Sequence, residues 1–144
     1  DIDWVVIEEP EMGLHPKAIT AVMLLVLDLL WRGYRVVLST HSPHVLAMLW
    51  MMRLLKEHHA QWQLVCRAFD VKTQPMQRVA KASLQKDYRA FLLEFGSGGR
   101  VSSVDISELD PGSSDDRVAG WGGLTGYSSR FADVVRAAIN VSTR

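Results

Sequence analysis

Two adjacent carboxylates, Glu8 and Glu9, stand at the end of a short apolar run and could do chemistry there. The run, Trp4–Ile7, has the continuous apolar pattern of a strand buried on both faces. Ligands of open α/β sheets bind at the carboxyl ends of the strands. At that edge one carboxylate can hold a hydrated Mg²⁺, and the other can orient or deprotonate an attacking water. A Glu-Glu pair on its own is more often a solvated strand end.

A second polar segment, Ser39–Pro43, reads Ser-Thr-His-Ser-Pro and follows another apolar run. His41 comes just past the end of that run, so we expect it at the same sheet edge as Glu8 and Glu9. A histidine there can hydrogen-bond a phosphate oxygen or the attacking water. On its own, His41 is better explained as helping to cap a helix that begins near Ser42. The joint pattern of an acid pair and a Ser-Thr-His at the next strand end is typical of phosphate hydrolysis.

These residues depend on a strand–helix–strand–helix order in the first 59 residues. Pro16 suits the first turn of a helix, and Gly33 ends it. Arg35–Ser39 predicts a second strand, and Ser42 is expected to cap a helix that continues to about His58. A helix between two strands predicts a right-handed crossover that joins parallel strands. Parallel strands bring both polar segments to one edge of the sheet.

The chain changes character after residue 59. Residues 60–90 predict a helical segment, in which Pro75 opens the second helix. Residues 91–144 predict a β-hairpin around Gly96–Gly99, a polar loop, and a final helix from Ser128 or Ser129 to about Asn140. We therefore predict an α/β fold in which the first 59 residues form the βαβα part of a core and the later segments belong to the same domain.

The polar segments also carry a family resemblance. Val5–Pro16, which includes Glu-Glu-Pro-Glu and Leu-His-Pro, resembles the Walker B strand and D-loop of ABC-type ATPases. It is similar in particular to the branch of the overcoming-lysogenization-defect (OLD) ATPases, which is related to the structural-maintenance-of-chromosomes (SMC) ATPases. Val37–Pro43 resembles the H-loop of that branch, and Trp121–Thr125 resembles a C-terminal segment of its AAA-type members. The resemblance implies the C-terminal part of an ABC-like ATPase domain, with a partial P-loop NTPase sheet and flanking helices.

The resemblance implies roles for the matching residues at the predicted sheet edge. Glu9 takes the position of the catalytic glutamate, which polarises the lytic water. His41 takes the position of the switch histidine, which contacts the γ-phosphate, with Ser39 and Thr40 beside it as nucleotide-binding residues. Glu8 takes the position of the Walker B acid, which supports Mg²⁺ through water and is usually Asp.

The resemblance also implies a partner. Glu11, Gly13, Leu14 and His15 occupy the D-loop, which in this family touches a second ATPase head. ATP and Mg²⁺ are then the expected cofactors, and a homodimer or higher oligomer is the expected assembly. Hydrolysis between the two heads would drive a conformational change, in phage defence or DNA-linked processes.

No Gly-x-x-x-x-Gly-Lys-Ser/Thr motif occurs in the 144 residues, so the sequence contains no P-loop to cradle phosphates. Gly96–Arg100 is glycine-rich but lacks the lysine, and it is better explained as a hairpin turn. The sequence opens on Asp1, immediately before a predicted core strand. We expect the P-loop and the signature motif to come from preceding sequence or another chain, and we expect no turnover from this fragment alone.

Composition limits the remaining partners. The chain has 16 basic and 16 acidic side chains, which argues against a free-standing nucleic-acid binder. However, Arg67–Arg89 has an excess of basic side chains and Asp105–Asp116 is acidic, so DNA or an effector protein stays a candidate partner. The single cysteine, Cys66, fits a reducing compartment, and no segment has the length and apolar character to span a membrane. A cytoplasmic location is expected.

Two other function classes compete with the ATPase. A non-catalytic module could sense nucleotide or bind a protein with the same residues. A metal-dependent hydrolase or nuclease could use the acid pair, although a two-metal nuclease needs further carboxylates that face the same pocket. A zinc site from Glu9, His41 and His44 is disfavoured, because Pro43 begins a helix between the two histidines.

Overall fold

The structure is a computed structural model that describes residues 3–126, 130–132 and 134. It divides into two compact units, Asp1–Tyr88 and Arg89–Arg144. The elements of the first unit are β1 (Trp4–Glu8), α1 (Pro16–Trp31), β2 (Arg35–Ser39), α2 (Pro43–Glu57), α3 (Gln63–Ala68) and α4 (Gln74–Ser83). Those of the second unit are β3 (Phe91–Phe95), β4 (Val101–Asp105) and α5 (Asp116–Ala119). The three segments expected from the sequence, 1–59, 60–90 and 91–144, stay predictions as domain parts.

The first unit contains the predicted strand–helix–strand–helix order and is of the α/β class. Strands β1 and β2 pair in parallel, in a register that runs from Trp4 opposite Arg35 to Glu8 opposite Ser39. Helix α1 connects them, as a crossover between parallel strands requires. The arrangement is consistent with part of a P-loop NTPase sheet.

The expectation that β1 is buried on both faces was wrong. Exposure alternates along the strand: Val6 is 68% exposed, whereas Val5 and Ile7 are half-buried. Strand β2 alternates in the same way, and its half-buried residue Leu38 packs against the helical core. The helices of this unit therefore cover one face of the strand pair, while Val37 is exposed on the other.

Prolines lie in the first turns of the two long helices, where the sequence predicted, but the capping hydrogen bond expected from Ser42 is absent. His15 precedes α1, and its Nδ1 accepts a hydrogen bond of 3.3 Å from the Lys17 backbone N–H. Gly33 follows the end of α1 with a φ of 98°, a left-handed conformation that glycine adopts without strain. Ser42 occupies the position before α2, but its side chain makes no capping hydrogen bond.

A core of apolar side chains from α1–α4 and their connections holds the first unit together. Its buried members are Ile19, Met23, Leu27, Val45, Met48, Met52, Val65, Phe69, Val79, Ala80 and Leu84. Met23, Met48 and Met52 are among them, in line with the ability of the thioether chain to fill irregular gaps. The core thus fixes the helices that begin at the sheet edge.

The second unit contains the predicted hairpin. Strands β3 and β4 pair antiparallel, with Phe91 opposite Asp105 and Phe95 opposite Val101. The Trp-Gly-Gly segment has a packing role here, because the Trp121 Nε1–H donates to the Leu109 carbonyl at 2.8 Å. A side chain at Gly122 would meet Leu92 at 2.9 Å. The final helix expected from Ser128 or Ser129 to about Asn140 lies largely outside the described residues. Residues 130–132 and 134, which are described, are helical.

Within the described ranges, the helices are too short or too polar to cross a bilayer.

Substitution of two leucines in α1 tests the core assignment. Leu27 is 2% exposed and Leu25 is 56% exposed. We expect Leu27→Ala to lower the free energy of unfolding by about 2–5 kcal/mol, because it removes buried apolar surface and leaves a cavity. Leu25→Ala should change it by only about 0.5 kcal/mol, because the two residues have similar helix propensities. Urea unfolding followed by circular dichroism measures both, and equal losses would contradict the position of the core.

Candidate active site

Glu9 and His41 meet at the carboxyl edge of the parallel strand pair. Glu9 is the first residue after β1, and His41 follows β2 by two residues. The His41 Nε2 lies 3.0 Å from the Glu9 Oε1, a distance suited to a hydrogen bond. The His41 side chain is 81% exposed and the Glu9 side chain is 38% exposed, so both are open to solvent. The structure therefore brings together the two residues that the sequence predicted at one edge, while their roles in catalysis stay predictions.

The backbone at Glu9 has an unusual conformation that turns the chain away from the strand. Its φ is 40°, in the left-handed region that non-glycine residues rarely adopt. The Glu9 N–H donates to the Ser39 carbonyl at 3.0 Å and also approaches the Ser39 Oγ at 3.3 Å. Such a conformation costs roughly 1 kcal/mol or more and persists where the surroundings hold it. Here the bonds to β2 hold it, and they set where the Glu9 carboxylate projects.

A third carboxylate, Glu11, ties the segment after β1 to the segment after β2. Its Oε1 accepts two hydrogen bonds, one from the Thr40 hydroxyl at 2.5 Å and one from the His41 backbone N–H at 2.8 Å. The Thr40 Oγ1 in turn accepts from the Ser42 backbone N–H at 3.0 Å. Sequence reasoning assigned Glu11 only a contact with a second head and missed this link. Its signal was a third acid two residues beyond the acid pair, within reach of a Ser-Thr-His segment.

The surroundings of Glu11 favour its ionised form. Partial burial raises the pKa of the carboxyl, but hydrogen bonds from Thr40 and from backbone N–H groups outweigh it, so the pKa lies below its usual value. The other oxygen, Oε2, is buried and has no hydrogen-bond partner among the described residues. Leaving such an atom unpaired costs roughly 1–3 kcal/mol, so the two bonds at Oε1 must offset that cost.

Glu8 and Ser39, the last residues of β1 and β2, provide further side-chain oxygen atoms beside Glu9 and His41. They are paired across the parallel register, and both are exposed on the open face of the sheet. The described part of the chain has no group of three or more His, Cys, Asp or Glu side chains that could hold a metal by themselves. Mg²⁺ keeps several waters and is usually bound by one or two carboxylates together with substrate phosphates. A carboxylate beside a hydroxyl therefore fits a hydrated Mg²⁺, rather than a metal enclosed by protein ligands.

The other histidines near the site have structural contacts. The His44 Nε2 lies 3.3 Å from the Thr20 Oγ1, so its ring links α2 to α1. His15 caps α1, as described above. These contacts give no support to a zinc site built from Glu9, His41 and His44.

The segment after Glu11 is open to solvent. Met12 is 73% exposed and Leu14 is 39% exposed. Gly13 lies between them with a φ of 72° and with open space around the position of a Cβ. This exposure leaves the segment available for contact with another protein surface, but the second ATPase head expected there stays a prediction.

The match to a known family covers this site. Residues 1–47 match the family model described as "AAA domain, putative AbiEii toxin, Type IV TA system". This part of the chain resembles an AAA-type ATPase domain. The match suggests an ATPase-like function for this part of the chain, and Glu8, Glu9 and His41 all lie inside the matched residues. No curated protein and no solved structure matches the chain.

The lowered pKa of Glu11 predicts a dependence of stability on pH. Its ordinary value is 4.5, and the folded state holds the pKa below it. The ionised carboxylate therefore stabilises the fold above about pH 4.5, and this contribution is lost as the pH falls through the folded-state pKa. At pH 7 we expect Glu11→Gln to lower the free energy of unfolding by about 1 kcal/mol, through weaker hydrogen bonds to a neutral acceptor.

Urea unfolding of both proteins from pH 7 to pH 3 measures this difference, which should shrink below pH 4.5. Glu108→Gln is a matched control, because Glu108 is an exposed glutamate in the second unit. A Glu11→Gln difference that stays constant across the pH range would contradict the assignment.

Proposed function

We propose that residues 1–59 form the Walker B, D-loop and H-loop part of an ABC-like, OLD-like ATPase domain. The observation that carries the proposal is the 3.0 Å contact between Glu9 and His41 at the carboxyl edge of a parallel strand pair. The same edge lies within the residues that match an AAA-type family. Parallel sheets of this class bind ligands at that edge.

Glu9 is the proposed catalytic residue. Its exposed carboxylate can accept a hydrogen bond from a water and increase the nucleophilic character of the water oxygen. The left-handed backbone and the bonds to Ser39 hold Glu9 in place, so the carboxylate need not reorganise when the water attacks. The attack is directed at the γ-phosphorus of ATP, in line with the leaving ADP oxygen.

His41 is the proposed contact to the γ-phosphate. Its ring is 81% exposed and lies next to the Glu9 carboxylate, so a phosphate oxygen can approach the Nε2 from the solvent side. An Nε2–H donated to that oxygen would stabilise the charge that develops during transfer. Ser39 and Thr40 are proposed nucleotide-binding residues beside it. The Thr40 proton is already donated to Glu11, so the contribution of Thr40 is to shape the segment around His41.

Glu8 is the proposed support for the metal, through water and next to Ser39. A Mg²⁺ held there would neutralise part of the negative charge of the phosphates. A glutamate keeps the charge of the aspartate that is usual at this position, but its side chain reaches one methylene further.

These 144 residues contain no P-loop motif. The remaining parts of the proposed ATP site would therefore come from outside them. We propose that a P-loop half supplies the phosphate cradle, and that the exposed segment Met12–Leu14 faces a second ATPase head. Hydrolysis between the heads would change how they engage. We propose that this change serves phage defence or a DNA-linked process, with DNA or an effector protein as the partner acted upon.

Substitutions of Glu9 and His41 test the proposal in a protein or complex that joins this chain to a P-loop half. We expect Glu9→Gln to lower kcat for ATP by about 100-fold or more, because it removes the group that polarises water, while ATP still binds. His41→Ala should lower kcat by about 100-fold through lost stabilisation of charge. Phosphate release and binding of a fluorescent ATP analogue measure the two effects.

Glu57→Gln and His58→Ala are the matched controls, because both residues are exposed at the far end of α2. Full turnover in Glu9→Gln would overturn the proposal. Binding of ATP without turnover in the unmodified protein would favour a nucleotide-sensing module. Nuclease activity with Mn²⁺ and no ATP would favour a metal-dependent hydrolase.

A further inference from the structure

We infer that Glu11 is a positioning residue that holds His41 against Glu9, so that the segment Met12–Leu14 acts on the reaction through Glu11. This inference rests on the proposed ATPase function. It assigns Glu11 a role inside its own site, rather than only a contact with a second head. The supporting contacts are the two hydrogen bonds that Glu11 accepts from Thr40 and His41.

The exposure of His41 makes its backbone anchor important. The ring is 81% exposed, so packing against other side chains does little to orient it. Its direction therefore depends on the backbone from which it projects. The backbone N–H of His41 itself donates to the Glu11 Oε1 at 2.8 Å, so Glu11 fixes the residue at the point where the side chain leaves the main chain.

The second bond extends this anchor along the chain. The Thr40 hydroxyl donates to the same Oε1, and it accepts from the Ser42 N–H. A single carboxylate oxygen thus fixes the residues on both sides of His41, up to the start of α2. The hydrogen bond between Glu9 and Ser39 uses backbone groups that any residue has, whereas this link requires a side-chain acceptor at position 11.

Glu11 also directly precedes the exposed stretch, and the Leu14 N–H donates to the Glu11 carbonyl at 3.0 Å. Met12 and Leu14 are exposed, and Gly13 between them has open space around it. A surface that binds this stretch pulls on, or restrains, the backbone next to Glu11. Because Glu11 holds the His41 backbone, a change in the position of Glu11 also changes the contact between His41 and Glu9. The geometry of the site therefore depends on whether a surface is bound at Met12–Leu14.

The first test uses the 144-residue chain without nucleotide. We expect Glu11→Ala to speed hydrogen exchange at the His41 amide by about tenfold or more, because its acceptor is lost. Glu11→Gln should restore part of the protection, since its amide oxygen can accept both bonds. Thr40→Val should also speed exchange at the His41 amide and Thr40→Ser should not, because serine keeps the hydroxyl that donates to Glu11. Two-dimensional NMR of the amide groups measures these effects, with Glu108→Ala as the control.

The second test measures hydrolysis in the assembly with a P-loop half. We expect Glu11→Ala to lower kcat by about 10–100-fold with little change in KM for ATP, because the reacting groups are misplaced while the nucleotide is still held. Glu11→Gln should recover part of kcat. The double variant with Thr40→Val should be little worse than Glu11→Ala alone, because both changes break the same link.

The outcomes separate this inference from the proposed function. Full turnover in Glu9→Gln defeats the ATPase proposal, and the exchange at His41 still decides whether Glu11 anchors that residue. If Glu9→Gln abolishes turnover but Glu11→Ala keeps both kcat and the protection of the His41 amide, the positioning role is wrong. If Glu11→Ala does not fold, then Glu11→Gln, Thr40→Val and Thr40→Ser decide the matter by the same measurements.

Discussion

Because Glu8 pairs with Ser39 in the parallel sheet, the segments that follow the two strands begin side by side. Everything at the edge depends on this register. The Glu9 N–H reaches the Ser39 carbonyl only in this alignment, and that bond in turn holds the left-handed conformation of Glu9. Successive strand residues point to opposite faces, so a slip by one residue would reverse which side chains meet. The contact between Glu9 and His41 would then be lost.

The buried core and the proposed site lie in different parts of the first unit. The helices and their buried core lie on one face of the strand pair, where Leu38 packs. The edge contributes little burial, and it contains the features that cost free energy: the left-handed Glu9 and the unpaired Oε2 of Glu11. Such costs are tolerated where a well-packed scaffold holds the chain, and they are concentrated at functional sites.

The sequence was sufficient to predict the helix starts, the strands and the parallel direction of the strands. Prolines at positions 16 and 43 marked the helix starts, and two apolar runs joined by a helix implied parallel strands with Glu9 and His41 at one edge. The exposure of Val6 could not be predicted from the sequence, because a strand with a continuous apolar run has the same pattern whether one face or both faces of its sheet are covered. The only sequence signal for the bond from Thr40 to Glu11 was a third acid near the Ser-Thr-His segment, and the residue types do not predict the left-handed backbone at Glu9.

The start of α1 lies only five residues beyond Glu11 and is capped by His15, so the site continues directly into a long helix. Helix α1 has 16 residues, which makes it roughly 24 Å long. It packs on α4 and on α2, and Ile19, Met23 and Leu27 place its buried face in the helical core. The segment that contains Glu11 is therefore anchored at both ends, by strand β1 on one side and by a helix embedded in the core on the other.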